Sequence, residues 1–178
     1  IRAGTNQAGG GEINLQIEGN KLWPGDVLFA NGQVNIGGNL TLDTSGVGRD
    51  DFFTIRNNGG TGIGEDAVAG DITLTITDNA ALNVGGNLIL DASAQGGKGE
   101  VISGNATGGS IQITVNDGTL DVGGIASLNA GTLSAGDGKS GGSGPAAEGA
   151  DGIGGDVTID LIGGTFDAGF VSIDVSGT

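Results

Sequence analysis

One pattern occurs four times along this chain and constrains the fold more than any other feature. The clearest copies read GDITLTITDNAALNVGGNLILDAS (residues 70–93) and GSIQITVNDGTLDVGGIASLNAG (residues 109–131). A third, GDVTIDLIGGTFDAGFVSIDVSG (residues 155–177), lacks one residue at the glycine pair. The copy nearest the start opens as GEINLQIEG at Gly11 and resumes, after an insertion, as GQVNIGGNLTLDTSG at Gly32. Self-similarity of this kind marks a stacked architecture, in which no single unit can bury its own apolar face.

Each copy contains three short apolar runs. The first alternates strictly: Ile72, Leu74 and Ile76 are matched by Ile111, Ile113 and Val115, by Val157, Ile159 and Leu161, and by Ile13, Leu15 and Ile17. A period of two places these side chains on one face of a strand. A turn of Asp, Asn and Gly follows, as at Asp78-Asn79 and Asn116-Asp117-Gly118. The second run is Leu82-Asn83-Val84, echoed by Leu120-Asp121-Val122, Phe166-Asp167-Ala168 and Val34-Asn35-Ile36. After Gly85-Gly86 and its equivalents comes the third run: Leu88 and Leu90, echoed by Leu40 and Leu42, Ala126 and Leu128, Val171 and Ile173.

Three strands and two tight corners make about one coil of a parallel β-helix, with equivalent residues of successive coils about 4.8 Å apart. An antiparallel sandwich would also alternate, but its hairpins would not repeat the same residues in the same order. The reading is therefore an all-β parallel β-helix, a solenoid of about four coils. The coil cores are expected at residues 11–45, 70–93, 109–131 and 155–177 of a single repeat segment spanning 1–178, itself a piece of a longer chain. The glycines are expected to serve corners that demand positive φ.

The copies differ at the third corner, where long segments rich in Gly, Ser, Asn and Asp separate residues 45 and 70, 93 and 109, and 131 and 155. Insertions of this kind project from one face of a repeat protein, often the binding face. A further insertion, NKLWPGDVLFAN (residues 20–31), holds the only tryptophan. Its Trp23 and Phe29 form a candidate contact patch or a packed local cap.

Composition narrows the function classes. Forty-one glycines and 3% aromatic residues leave few bulky groups, so the core must come from Ile, Leu and Val. Six basic against 21 acidic residues give a net charge of −15, which disfavours nucleic acid and anionic lipid head groups. No stretch reaches the roughly 18 apolar residues that span a bilayer, so direct membrane insertion is not expected. Cysteine is absent, and with it any disulfide framework.

The chain holds no histidine, cysteine or tyrosine, and its cations Arg2, Lys21, Arg49, Arg56, Lys98 and Lys139 are scattered. The acidic pairs Asp50-Asp51 and Glu65-Asp66 lie in a loop rather than a cleft, where one raised pKa would be needed for acid catalysis. No enzymatic activity is expected. Asp and Asn recur in the second run (Asn35, Asn83, Asp121, Asp167) and at the end of the third (Asp43, Asp91, Asn129, Asp174). Like charges stacked in a column repel, and calcium, which prefers oxygen ligands, would relieve them. Asp43, Asp91, Asp121 and Asp174 are thus the calcium candidates, against a plain role in solubility; no other cofactor is expected.

The phrase VGGNLILDASAQGG followed by GGSIQITV, with VNIGGNLTLD and LDVGG beside it, resembles the β-strand-repeat, filamentous-haemagglutinin-like adhesins of Gram-negative bacteria. These include autotransporter passengers and two-partner secreted exoproteins. The resemblance covers the repeat cores, about half the chain. It implies a right-handed β-helical stalk exported to the bacterial outer surface, serving adhesion, biofilm or cell contact through glycans or proteins. Neighbouring coils of the same chain or protomer would be its first partners. A polysaccharide-binding or polysaccharide-degrading β-helix is the alternative, and a self-assembling surface filament subunit a third.

Overall fold

The computed structural model describes residues 11–19, 32–50, 62–99, 102–133 and 150–177. Among them every regular element is a strand. The first repeat supplies β1 (Ile13–Glu18), β2 (Gln33–Ile36), β3 (Leu40–Asp43), β4 (Gly46–Val47) and β5 (Ala67–Val68). The second supplies β6 (Ile72–Thr77), β7 (Ala81–Val84), β8 (Leu88–Asp91), β9 (Ala94–Gln95) and β10 (Ala106–Thr107). In the third, β11 (Ser110–Asn116) leads to a continuous β12 (Thr119–Asn129), then β13 (Thr132–Leu133) and β14 (Gly152–Ile153). The fourth consists of β15 (Asp156–Ile162) and β16 (Thr165–Asp174).

Every strand pairs with its counterpart in the next repeat, and every such pairing is parallel. The long first strands form one sheet in the order β1-β6-β11-β15. Their register joins Ile13, Ile72, Ile111 and Val157, then Leu15, Leu74, Ile113 and Ile159, then Ile17, Ile76, Val115 and Leu161. A second sheet links β2 to β7 and β3 to β8, both to β12, and β12 to β16. There Val34, Leu82, Leu120 and Phe166 align, as do Leu42, Leu90, Leu128 and Ile173. These are the columns that the alternation predicts. The residue missing from the fourth repeat appears as a register shift between Val122 and Ile125, opposite the single Gly169.

Period-two alternation becomes burial on one side of each strand. Leu74, Ile76, Leu82, Leu90, Ile113 and Leu120 are fully buried and join one aliphatic cluster running through all four repeats. Burying each such side chain contributes about 1.5–3 kcal/mol relative to exposure, so columns of Ile, Leu and Val hold the stack, with Phe166 the one aromatic packed against them among the described residues. The turn after β6 places Asp78 and Asn79 at φ 57° and 60°, and Asp117 follows β11 at 50°, where short polar side chains tolerate the left-handed region.

The third corner departs from the sequence reading. Its segments are not loops throughout: their first and last residues are strands that pair between repeats, giving the three-stranded sheets β4-β9-β13 and β5-β10-β14. The first two repeats therefore have five strands each rather than three. The two short sheets lie against each other, β4 beside β5 and β9 beside β10, around a separate small cluster of Ala67, Ala69, Ala94 and Ala106. Beyond the strands the two flanks approach until backbone meets backbone. A Cβ on Gly96 would lie 1.9 Å from the carbonyl oxygen of Gly104, and one on Gly104 would lie 1.9 Å from that of Glu65. Gly97 donates its N–H to Glu65, and Gly104 donates to Gly97, at 2.9 and 2.8 Å.

Glycine also serves differently from expectation at the paired positions. Among the described glycines positive φ occurs at Gly62 and Gly163, not at Gly85-Gly86 or Gly123-Gly124. Gly86 and Gly124 are needed for room instead: a Cβ on either would stand 2.3 Å from the side-chain oxygen of Asn39 or Asn87.

Candidate functional site

Those asparagines belong to a device repeated around the molecule, in which a side-chain oxygen of one repeat accepts a backbone N–H of the next. Asn39 Oδ1 accepts from Asn87 N–H at 2.8 Å, and Asn87 Oδ1 from Ile125 N–H at 2.9 Å. Asp66 accepts from Asn105 at 2.6 Å, and Asn105 from Asp151 at 3.0 Å. Asp71 takes Ser110 N–H at 2.8 Å, and Asp50 takes Lys98 N–H at 2.7 Å. At these exposed positions each bond to a carboxylate contributes about 0.5–1.5 kcal/mol. Part of the acidity of this chain is thus structural, binding repeat to repeat. Aligning Asp66 with Asn105 and Asp151 in the sequence would have exposed the pattern, but these residues sit in segments that read as loop.

The calcium candidates fall in two places. Asp43, Asp91 and Asp174 share a column with Asn129 at the end of the third run, whereas Asp121 lies in the column of Asn35, Asn83 and Asp167. Each member of the first column closes a turn onto the residue two positions on. Asp43 accepts from the N–H and hydroxyl of Ser45 at 3.0 and 2.6 Å, and Asp91 from those of Ser93 at 3.1 and 2.6 Å. Asn129 accepts from Gly131 N–H at 3.1 Å and Asp174 from Ser176 N–H at 2.9 Å. The backbone N–H and hydroxyl of Ser176 hold the Asp174 carboxyl below its ordinary pKa, against a smaller raising by desolvation.

Two carboxylates about 5 Å apart in water repel by about 1 kcal/mol, less than two hydrogen bonds to each charge return. The Asp43–Asp91 pair is therefore sustained by its own turns. In the other column Asn83 Nδ2 donates to Asn35 Oδ1 at 2.7 Å. Among the described residues no three acidic side chains gather closely enough to hold a metal ion.

One depression, of about 500 Å³, opens beside β4 and β9 and is lined by Val47, Gly48, Arg49, Asp50, Gln95, Gly96 and Lys98. Arg49 and Lys98 are the only cations among the described residues, and the strand pairing brings both to this one place. With them stand an amide, a carboxylate and the half-exposed Val47. This is the chemistry that grips a hydroxylated or anionic ligand: forked and point cations, an acceptor, and an apolar patch. Scattered in sequence, these residues gave no signal of a common surface. Glu65 and Asp66, the other acidic pair, are exposed on the opposite flank of the same corner.

The contact candidates Trp23 and Phe29 lie outside the described residues, as do Asp51 and the cations Arg2, Lys21, Arg56 and Lys139. Among the described residues no helix is long and apolar enough to cross a membrane. Comparison with protein-family models, with curated proteins and with solved structures gives no match.

Proposed function

We propose that this chain is a stretch of right-handed parallel β-helix that serves as a structural and contact segment of an extracellular adhesin or fibre of the Gram-negative surface type. The observation that carries the reading is the four-repeat register, in which each strand adds in parallel to its predecessor. Segments of different length join β4 to β5, β9 to β10, and β13 to β14. A stacked stem whose repeats differ at one corner fits a stalk that presents contact segments. Replacing residues 51–61 and 134–149 with short Gly-Ser linkers should leave melting intact and abolish adherence of chain-coated beads to host-cell glycans and proteins. Beads that adhere equally well without those segments, or that never adhere, would refute the contact role.

A second reading, polysaccharide binding without catalysis, is favoured by the depression at Arg49 and Lys98. Titration with an acidic oligosaccharide should give saturable binding that Arg49→Ala and Lys98→Ala each weaken, and no binding would exclude it. The third reading, a self-assembling surface filament, predicts concentration-dependent fibres by light scattering.

A further inference from the structure

The depression beside β4 and β9 is assembled from two repeats, and their pairing sets its order. Exposed Val47 and Arg49 flank buried Gly48, and Gln95 lies beside Val47 in parallel register. Backbone bonds tie the segments together: Gly48 N–H donates to the Gln95 carbonyl at 2.8 Å and Glu65 N–H to the Arg49 carbonyl at 3.0 Å. Lys98 N–H donates to Asp50 Oδ1 at 2.7 Å. The backbone carrying both cations is thus held in place by the fold itself, which lowers the ordering cost of binding.

We propose, on the footing of the polysaccharide-binding reading, that this depression takes one carboxylated sugar residue of an otherwise neutral glycan. Charge sets the first limit. Among the described lining residues two cations stand against one carboxylate, a surplus of one positive charge, on a chain of net charge −15. One anionic group is matched there. Further anionic groups within the Debye length of about 8 Å would meet a negative surface, so a polysulfated chain is disfavoured.

The shape of the donors sets the second limit. The Arg49 guanidinium is a planar fork that suits the two oxygens of a carboxylate, and Lys98 adds a point charge. The rest of the lining suits a hydroxylated ring. Asp50 commits Oδ1 to Lys98 N–H, and its other oxygen is placed to accept a hydroxyl. The Gln95 amide both donates and accepts, and half-exposed Val47 offers an apolar surface to the C–H face of a ring. A volume of about 500 Å³ falls in the range of small-ligand sites. An acidic peptide would engage the cations but leave Asp50 facing further carboxylates. Asp50 is therefore the specificity-determining residue: it accepts a hydroxyl and repels a second anionic group.

The test is calorimetric titration with three oligosaccharides of equal length. One is neutral apart from a terminal glucuronic acid, one is the same molecule with its carboxyl reduced to the alcohol, and one is heavily sulfated. The acid should bind saturably, and reduction of its carboxyl should weaken binding about tenfold or more. Arg49→Ala and Lys98→Ala should each weaken it by about tenfold, with unchanged melting midpoints. Asp50→Asn keeps an oxygen for Lys98 N–H but loses the charge, so it should narrow the preference for the acid over the sulfated probe. Equal binding of the acid and its reduced form, or tighter binding of the sulfated probe, would overturn the proposal and leave polysaccharide binding standing. Binding of the acid that survives both alanine substitutions would overturn the assignment to this depression. No binding of any probe would remove the proposal and the polysaccharide reading together.

Discussion

Along the long strands, repeat meets repeat through side chains: Leu74 is stacked between Leu15 and Ile113 inside a continuous aliphatic cluster. At the corner of β9 and β10 repeat meets repeat through backbone and methyl groups, with Ala67 and Ala106 buried and Gly97 and Gly104 of the second repeat against the carbonyl of Glu65 of the first. The first region is stabilised by area removed from water, the second by hydrogen bonds made where no side chain intervenes. A change of side-chain volume should therefore act in opposite senses in the two regions. Removal harms the first, and addition harms the second.

The largest effect belongs to the first region. Leu90 is completely buried in the second repeat, between neighbours on both sides. Leu90→Ala should cost about 2–5 kcal/mol through lost burial and a residual cavity, read as a lower denaturant midpoint shared by all probes. A small loss, with the sheet reclosing over the gap, would mean that the columns are less tightly packed than their burial indicates.

Next comes addition at the corner. In Gly104→Ala the new methyl would press on backbone atoms of Glu65, which unlike a side-chain tip cannot swing away, and about 1–3 kcal/mol of overpacking follows. The expected signature is local: faster amide exchange at Gly97 and Gly104, with β6 and β11 still protected. Uniform loss of protection would show that corner and columns open as one unit and dissolve the contrast.

The contrast also explains what could be read in advance. The aliphatic columns were legible residue by residue, because period-two alternation repeated four times leaves a single register that turns the alternating Ile, Leu and Val of each run to one side. The corner was not. A two-residue strand such as Ala94–Gln95 has no period, and glycine required by close approach looks in sequence like glycine in a loop. The depression at Arg49 and Lys98 was hidden for the same reason, since only the pairing of β4 with β9 brings the two cations together. The expectation that this corner varies freely does not extend to its flanks, which pair in register between repeats.

A third, smaller effect tests the link between repeats. Asp66→Ala removes the acceptor for the exposed Asn105 N–H and should cost about 0.5–1.5 kcal/mol, whereas Asp66→Asn keeps an oxygen in place and should cost less. Asp151→Ala, at the equivalent position beside the edge strand β14, should be nearly silent in thermal melts. Equal losses at positions 66 and 151 would show that these carboxylates act within their own repeat and not between repeats.

The smallest effect concerns Asp174, where hydrogen bonds from Ser176 lower the pKa of an exposed carboxyl. A pKa lower in the folded state means that the ionised form favours folding. That contribution is complete above the ordinary aspartate value of about 3.9 and disappears as pH falls through the lower folded value. Asp174→Asn retains the acceptor oxygen but cannot titrate, so its midpoint should fall less than that of the parent chain between pH 5 and pH 2. The column of Asp43, Asp91, Asn129 and Asp174 commits one side-chain oxygen of each residue, Oδ1, to its turn, and no three acidic side chains gather among the described residues, so millimolar calcium should leave both midpoints unmoved at neutral pH. A calcium-dependent rise in the parent that Asp174→Asn abolishes would instead make that column an ion site, and its turns the means of arranging the ligands.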